Sequence, residues 1–263
     1  RFMGWCVCSP TRAMLLTGRH PIRVGTGPET GGELEKEETT IAEGFKANGY
    51  RTGVFGKWHN GNDPETPEFS AHFAEAFKHM PNKKPEFGHG ANAHGFDEVW
   101  VYYGGGPDHF NRRTVKGEGP VSWWHNLEFR PQDKGYTDDL LTQHAIEFIR
   151  DNQKKPFFCY IPFQIAHAPL QAKEEDLAAV SSIDAANLHA SSEKTTTEEK
   201  RVHAAMLHAL DKNVAAIFAE LQSLGLIDNT IFVFTSDNGA MEAGSSLPLR
   251  GHKHTIYEGG IRL

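Results

Sequence analysis

The chain has 263 residues, of which 38% are hydrophobic and 23% charged, a composition that excludes an intrinsically disordered protein. Its net charge of −7 and lack of a basic run argue against nucleic acid as a partner. No apolar run reaches the ~20 residues of a membrane span, and three cysteines cannot build a disulfide framework. The length suits one large α/β domain or two small ones.

The first predicted element is a helix that begins beside Cys8. Ser9 is a good N-cap, Pro10 suits the first helical position, and Gly18 can end the helix. Cys8 would then lie at the positive end of a helix, with Arg12 about one turn further on. The stretch therefore predicts an anion-binding site, although an ordinary buried cysteine at a helix cap is the alternative.

A second helix and a strand follow. Thr40 and Glu43 form a capping box that starts the helix. Residues 50–55 have the composition of a short strand, and Lys57 and His59 come directly after it. Because ligands collect at the carboxyl ends of strands in an open parallel sheet, both side chains are candidates for a site.

Residues 60–135 have weak periodicity and many Gly, Pro, Asn and His residues, which predicts long loops. Loops of this length tend to be functional, so we expect them to form the rim of a substrate pocket. Tyr103, Trp123 and Trp124 would offer aromatic faces for sugar rings. Six histidines in this region lack the spacing of metal ligands and are given no role: His72, His79, His89, His94, His109 and His125.

A helix over residues 137–152 and a strand over 156–161 come next. The continuous apolar run of the strand is typical of one buried on both faces. His167 follows that strand, and Pro169 restricts the backbone just after it. We therefore expect His167 to lie on a stiffened loop at the same sheet edge as Lys57.

The last predicted elements are a long amphipathic helix over residues 198–224 and a β-branched strand over 230–235. Asp237 and Asn238 follow the strand. Their oxygens suit Ca²⁺ or Mg²⁺, although Asp-Asn-Gly is also a common turn. Lys253 lies in a glycine-rich segment close to the end of the chain.

Five motifs in this order resemble those of the type I sulfatases, within the alkaline-phosphatase-like superfamily. The first is a cysteine, a proline and an arginine at alternate positions, followed after four residues by Thr-Gly. In sequence order the motifs are Cys8-x-Pro10-x-Arg12 with Thr17-Gly18, Gly56-Lys57-Trp58-His59, His167-x-Pro169, Asp237-Asn238-Gly239, and the segment around Lys253 with Tyr257 where Trp is more usual.

The resemblance implies an α/β fold with a largely parallel central sheet and helices on both faces, truncated in this chain. It implies that residues 1–263 are part of a sulfatase catalytic domain without the smaller carboxyl-terminal domain. An aspartate pair that completes the metal site in the family would precede Arg1, so we expect this chain by itself to be poorly active. Export to the periplasm, the extracellular space or a lysosome is also implied.

The resemblance further implies that a formylglycine-generating enzyme oxidises Cys8 to formylglycine, whose hydrate attacks sulfur. In that mechanism Arg12 orients the hydrate and His59 serves the elimination of sulfate. His167 and Lys253 assist the oxygen that leaves.

The same resemblance implies a divalent cation, Ca²⁺ with Mg²⁺ as the alternative, bound by Asp237, Asn238 and residue 8. Lys57, Lys253 and the cation would hold the sulfonate oxygens. The expected substrate is a sulfated small molecule or carbohydrate, without nucleic acid or a membrane span. Two alternatives stay open: a phosphomonoester or phosphonate hydrolase of the same superfamily, and a non-catalytic binding protein with this fold.

Overall fold

A computed structural model describes residues 3–26, 32–80, 82, 87–114 and 117–263. Seven α-helices and five strands are formed within these residues. The helices are α1 (Cys8–Thr17), α2 (Ile41–Ala47), α3 (Pro67–Ala76), α4 (Thr137–Asp151), α5 (Glu174–Ala179), α6 (Thr197–Ser223) and α7 (Glu258–Ile261). The strands are β1 (Arg51–Lys57), β2 (Glu98–Tyr102), β3 (Trp124–His125), β4 (Glu128–Phe129) and β5 (Phe157–Tyr160).

The five strands form one mixed sheet in the order β4-β3-β2-β1-β5. β1 lies parallel to both β2 and β5, with Val54 opposite Val99 on one side and Tyr160 on the other. β3 and β4 extend the sheet beyond β2 in antiparallel pairing. The carboxyl ends of the three parallel strands therefore meet at one edge, and the predicted α/β class is confirmed.

Helices cover both faces of the sheet, as predicted. Neighbouring residues on a strand point to opposite faces, so Val54 and Phe55 of β1 contribute to separate hydrophobic cores. The core on one face is completed by residues from α1, α2 and α3: Leu16, Ala42 and Phe69. The core on the other face is completed by residues from α4 and α6: Leu141, Ala145, Phe148, Ile217 and Leu221.

Local sequence signals fix most of the helix ends. The capping box predicted at the start of α2 is present, with the Glu43 N–H donating to Thr40 Oγ1 at 3.2 Å and the Thr40 N–H to Glu43 Oε2 at 2.7 Å. Gly18 ends α1 in the left-handed conformation. The prediction of Ser9 as the N-cap of α1 is wrong, because the helix begins at Cys8 and Val7 is its N-cap. The Ser9 hydroxyl instead lies 3.2 Å from the side-chain amide of Asn60.

The prediction of residues 60–135 as loops is wrong in part, because this region contains α3 and the strands β2, β3 and β4. The expected aromatic rim is also wrong. Trp123 and Trp124 are fully buried and Tyr103 is 1% exposed. These rings pack in the two cores, so their faces are not available to a substrate.

The predicted strand over residues 230–235 is not formed. Ile231 is 93% exposed and Val233 78% exposed. A strand needs a neighbour to satisfy its backbone, and among the described residues no strand pairs with this segment. β5 is correspondingly an edge strand whose four residues are only half-buried, which corrects the expectation of burial on both faces.

None of the helices in the described residues combines the length and the apolar character needed to cross a bilayer.

Candidate active site

Cys8 lies at the first turn of α1, at the carboxyl edge of the parallel strands, and its side chain is buried. The loop before it is fixed by Thr11, whose Oγ1 accepts from the Trp5 N–H at 2.8 Å and donates to the Trp5 carbonyl oxygen at 3.0 Å. The thiol is thus presented at the positive end of a ten-residue helix.

The carboxyl-terminal segment, residues 250–263, brings Lys253 into contact with Cys8. Backbone hydrogen bonds hold this segment on both sides, since the His254 N–H donates to the Cys6 carbonyl oxygen and the Lys253 N–H to that of Ala240, each at 2.9 Å. The buried Lys253 Nζ then donates to Cys8 Sγ at 3.2 Å.

Lys57 enters the site from the end of β1, and the glycine before it permits this path. Gly56 has φ 147°, and a Cβ there would lie 2.1 Å from the Pro162 carbonyl oxygen. Only glycine therefore lets β1 pass this close to the chain after β5. The Lys57 side chain is buried, and this burial lowers its pKa to about 8.

Arg12 joins α1 and the end of β1 to the bend at residues 237–238, here called the Asp237 turn. Its Nε and Nη2 donate to Asp237 Oδ2 at 3.0 and 2.7 Å, and its Nη1 donates to the Lys57 carbonyl oxygen at 2.9 Å. Burial by itself would raise the pKa of Asp237. The charges of Arg12 and Lys57 outweigh this effect and lower the pKa to about 2, so the carboxylate is ionised at neutral pH.

The electrostatics of Cys8 follow from these neighbours. Burial raises the pKa of the thiol, but a hydrogen bond with His59 and the charges of Lys57 and Lys253 outweigh burial and lower it to about 6. The pocket thus stabilises negative charge on the atom attached to Cβ of residue 8.

His59 and His167 lie on either side of a glycine loop. Burial lowers the pKa of both imidazoles to about 4, with help for His167 from the charges of Lys57 and Lys253. A Cβ on Gly105 would lie 3.7 Å from His59 Nε2, whereas one on Gly106 would lie 2.5 Å from His167 Nδ1. Both imidazoles are neutral at pH 7 and can accept protons.

Asp237 and Asn238 offer oxygens that fit a hard cation. Asn238 Nδ2 donates to the Gly239 carbonyl oxygen at 3.0 Å, whereas its Oδ1 is buried and has no hydrogen-bond partner among the described residues. A buried unpaired oxygen is costly unless something binds it. Together with the ionised Asp237 it suits Ca²⁺ or Mg²⁺. No group of three or more His, Cys, Asp or Glu side chains that could hold a metal occurs in the described ranges.

The structure brings the sequence-predicted residues to one place: Cys8, Arg12, Lys57, His59, His167, Asp237, Asn238 and Lys253. Sequence reasoning missed Gly106 and Asn60, whose contacts with His167 and Ser9 cross the fold. It also missed Tyr160, which hydrogen-bonds Arg12. No local pattern marks these three residues, because each acts through a contact distant in sequence.

Comparisons with known proteins agree on one family. The sulfatase family model matches residues 2–263. An arylsulfatase of Hemicentrotus pulcherrimus is 30% identical over 276 residues, covering 100% of this chain and 45% of that protein. N-acetylgalactosamine-6-sulfatase of Mus musculus is 29% identical over 287 residues, covering 97% of this chain and 47% of that protein.

Among solved structures, Ps i-CgsB in complex with k-i-k-neocarrahexaose superposes with a TM-score of 0.77 at 28% identity, covering 99% of this chain and 55% of that one. The chain spans about half the length of the curated relatives it matches.

Proposed function

The chain belongs to the sulfatase family, and from this premise we propose that the whole protein hydrolyses sulfate monoesters of carbohydrates. The observation that carries the proposal is the contact of 3.2 Å between Lys253 Nζ and Cys8 Sγ, inside a buried cluster of positive charge. We further propose that the protein is exported, as the family resemblance implies.

The charge of the pocket suits a sulfate ester. Lys57, Lys253 and Arg12 are buried there, and Arg12 pairs with the carboxylate of Asp237. Cleavage of a sulfate monoester builds negative charge on the bridging oxygen, and charges fixed before the reaction stabilise it without reorganisation. Lys57 and Lys253 would therefore hold the sulfonate oxygens, while Arg12 is held by Asp237.

Cys8 Sγ occupies the place of the oxygens that formylglycine hydrate would carry on the same carbon. By resemblance, a formylglycine-generating enzyme makes this change, and the hydrate supplies one hydroxyl to attack sulfur and a second to release sulfate. His59 is neutral at pH 7 and hydrogen-bonds the side chain of residue 8. It is thus placed to take a proton from that residue.

His167 would act at the oxygen that leaves. Its Nδ1 lies 2.7 Å from the Ala168 carbonyl oxygen, which can only accept, so Nδ1 carries the hydrogen. Nε2 is then the ring nitrogen whose lone pair can accept a proton. A bound sulfate would offset the charges of Lys57 and Lys253 that lower the pKa of His167. Binding of substrate would thereby favour a proton on Nε2, ready for the leaving oxygen.

Asp237 and Asn238 would hold the divalent cation, Ca²⁺ or Mg²⁺. When bound, it would supply further positive charge beside the sulfonate oxygens and residue 8. The ionised Asp237 and the unpaired Asn238 Oδ1 support this assignment.

A carbohydrate substrate is supported by the relatives. One is named for the sulfate of N-acetylgalactosamine, and a structural relative at 28% identity is described in complex with an oligosaccharide. The buried tryptophans of this chain give no support for it.

The test compares matched sulfate and phosphate monoesters, and a sulfated amino sugar, as substrates of the whole protein produced in a host that makes formylglycine. A Cys8→Ala variant is the control for contaminating activity. We expect turnover of the sulfates that the variant lacks. Preference for the phosphate would favour the phosphohydrolase alternative, and sugar binding without turnover would favour the non-catalytic one.

A further inference from the structure

We propose that His109 and Asp138 are positioning residues that hold the loop carrying His167. This inference rests on the proposed function, which places His167 at the leaving oxygen. Neither residue belongs to the charged cluster around Cys8, and both are fully buried. Their side chains face each other, with His109 Nδ1 3.6 Å from Asp138 Oδ2.

The pair contacts both ends of the loop formed by residues 164–168. His109 Nε2 lies 3.0 Å from the carbonyl oxygen of His167 itself. Asp138 Oδ1 accepts the backbone N–H of Gln164 at 2.7 Å and that of Ile165 at 3.4 Å. The loop therefore cannot shift without breaking a buried hydrogen bond at one end or the other.

His109 is itself held by its surroundings. The backbone N–H of His109 donates to Gln171 Oε1 at 2.8 Å. The His109 carbonyl oxygen accepts from both the backbone N–H and the hydroxyl of Thr137, each at 2.7 Å. Its ring stacks on Tyr136 with the centroids 5.6 Å apart. Since Thr137 and Asp138 begin α4, the pair ties the His167 loop to the start of a fifteen-residue helix.

The hydrogen-bond roles indicate where the protons lie. The His167 carbonyl oxygen only accepts, so His109 Nε2 carries a hydrogen. His109 Nδ1 and Asp138 Oδ2 have no hydrogen-bond partner within the described residues, and the 3.6 Å between them is longer than a hydrogen bond. His109 therefore donates to the His167 carbonyl oxygen from Nε2, while Asp138 holds the other end of the loop through Oδ1.

A displaced His167 has a specific kinetic consequence. A sugar alkoxide is a poor leaving group and needs a proton from the enzyme, whereas a nitrophenolate leaves without one. Loss of the His109 contact should therefore slow a sugar sulfate more than an aryl sulfate. General unfolding or loss of the nucleophile would slow both substrates equally.

The experiment measures kcat and KM of the whole protein with para-nitrophenyl sulfate and with a sulfated N-acetylgalactosamine. For His109→Ala we expect kcat on the sugar sulfate to fall on the order of 10- to 100-fold, the scale of a displaced reacting group. The KM and the aryl sulfate rate should change little. His109→Gln should recover much of the rate, because its amide N–H can donate to the same carbonyl oxygen.

A second Asp–His contact, in which Asp176 is buried and His208 is half-buried, supplies a control. His208 Nδ1 lies 2.9 Å from Asp176 Oδ1, between α6 and α5 and outside the site. His208→Gln and Asp176→Asn should leave the ratio of the two rates unchanged. Asp138→Ala, which removes the acceptor for the Gln164 and Ile165 N–H groups, should alter that ratio in the same direction as His109→Ala. The double variant His109→Ala/His167→Ala should have the same kcat on the sugar sulfate as His167→Ala alone.

A readout without catalysis separates the two proposals. The NMR signal of the His167 ring Cε1–H should shift in His109→Ala and Asp138→Ala but not in His208→Gln. If the unaltered protein turns over neither sulfate while this signal still shifts, the proposed function fails and the positioning inference stands. Equal losses on both substrates, or an unmoved His167 signal in His109→Ala, would overturn the positioning inference.

Discussion

Lys253 Nζ lies 3.2 Å from Cys8 Sγ, although the two residues are 245 positions apart in the sequence. The contact depends on backbone pairing rather than on long flexible side chains. The Gly4 N–H donates to the Ile261 carbonyl oxygen at 2.8 Å, and the Gly239 N–H to that of Gly260 at 3.0 Å. The carboxyl-terminal segment thus joins the chain around α1 to the Asp237 turn, and this fixes the positive charge beside residue 8.

The first prediction concerns the modification of Cys8. In a host that contains a formylglycine-generating enzyme, we expect Cys8 to be converted to formylglycine and Cys6 to remain a thiol. Both cysteines lie in one tryptic peptide, Phe2–Arg12, so Cys6 is an internal control. Mass spectrometry of this peptide with fragmentation locates the change. Two unmodified thiols in a competent host would contradict the prediction.

The second prediction concerns the Arg12–Asp237 ion pair. Removing one partner of a buried pair leaves a charge without compensation, at a cost of about 3 kcal/mol or more. Asp237 is 26% exposed at its side chain, which favours the lower end for Arg12→Gln. Urea unfolding in the presence of a chelator measures this loss. Arg19→Gln, which breaks the more exposed pair with Glu38, should cost less than about 1 kcal/mol.

The pH dependence of stability gives the same variant a second test. Asp237 has a pKa of about 2 when folded against an ordinary 3.8, so it stabilises the fold above about pH 4. That stabilisation is lost as the pH falls from about 4 to about 2. In Arg12→Gln the folded pKa rises, so less stability should be lost over this range. An unchanged slope would show that Arg12 does not hold the carboxylate ionised.

Sequence alone predicted the elements whose signals are local. The capping box at Thr40 and the left-handed Gly225 after α6 each mark a helix end within a few residues. β2 was missed because it has only five residues, inside a region dominated by loop-forming residues. Residues 230–235 have strand composition but no strand, because pairing depends on a neighbour that composition does not reveal.

The candidate site divides in the same way. Family motifs identified the charged residues, and their strand ends indicated that they would meet. The burial of the aromatic residues could not be predicted. The local sequence around Trp124 is equally compatible with a ring that stacks on a sugar and with one that fills the core, as it does here. His109 has no metal-ligand or catalytic spacing, and Asp138 is one of two adjacent aspartates at a predicted helix start, so only the fold places them beside the His167 loop.

The third prediction concerns Gly106. A methyl group there would lie 2.5 Å from His167 Nδ1 and 2.7 Å from the Ala168 carbonyl oxygen, so His167 must move. We expect Gly106→Ala to lower kcat on a sugar sulfate about 100-fold, the scale of a misplaced reacting group. Gly105→Ala is the matched control, because its methyl group would make only an ordinary contact of 3.7 Å with His59. Similar rates for the two variants would contradict this reading of Gly106.

The last prediction concerns the cation and uses stability as its readout. A ligand that binds only the folded state raises the free energy of unfolding, by about 2.7 kcal/mol at a hundredfold excess over Kd. If Asn238 Oδ1 is a ligand, Asn238→Leu should keep the side-chain volume but reduce the rise in Tm that Ca²⁺ or Mg²⁺ causes in the whole protein. Without the cation the stability should change by no more than about 1 kcal/mol, because the variant loses the hydrogen bond from Nδ2 to the Gly239 carbonyl oxygen but also removes an oxygen that is buried and unbonded in the described residues. Asn92→Leu is the control, because Asn92 Oδ1 is also buried without a partner in the described residues but lies outside the site.

Calorimetry of each variant with chelator and with excess cation gives the comparison. An equal rise in Tm for Asn238→Leu and the unaltered protein would remove Asn238 from the cation site.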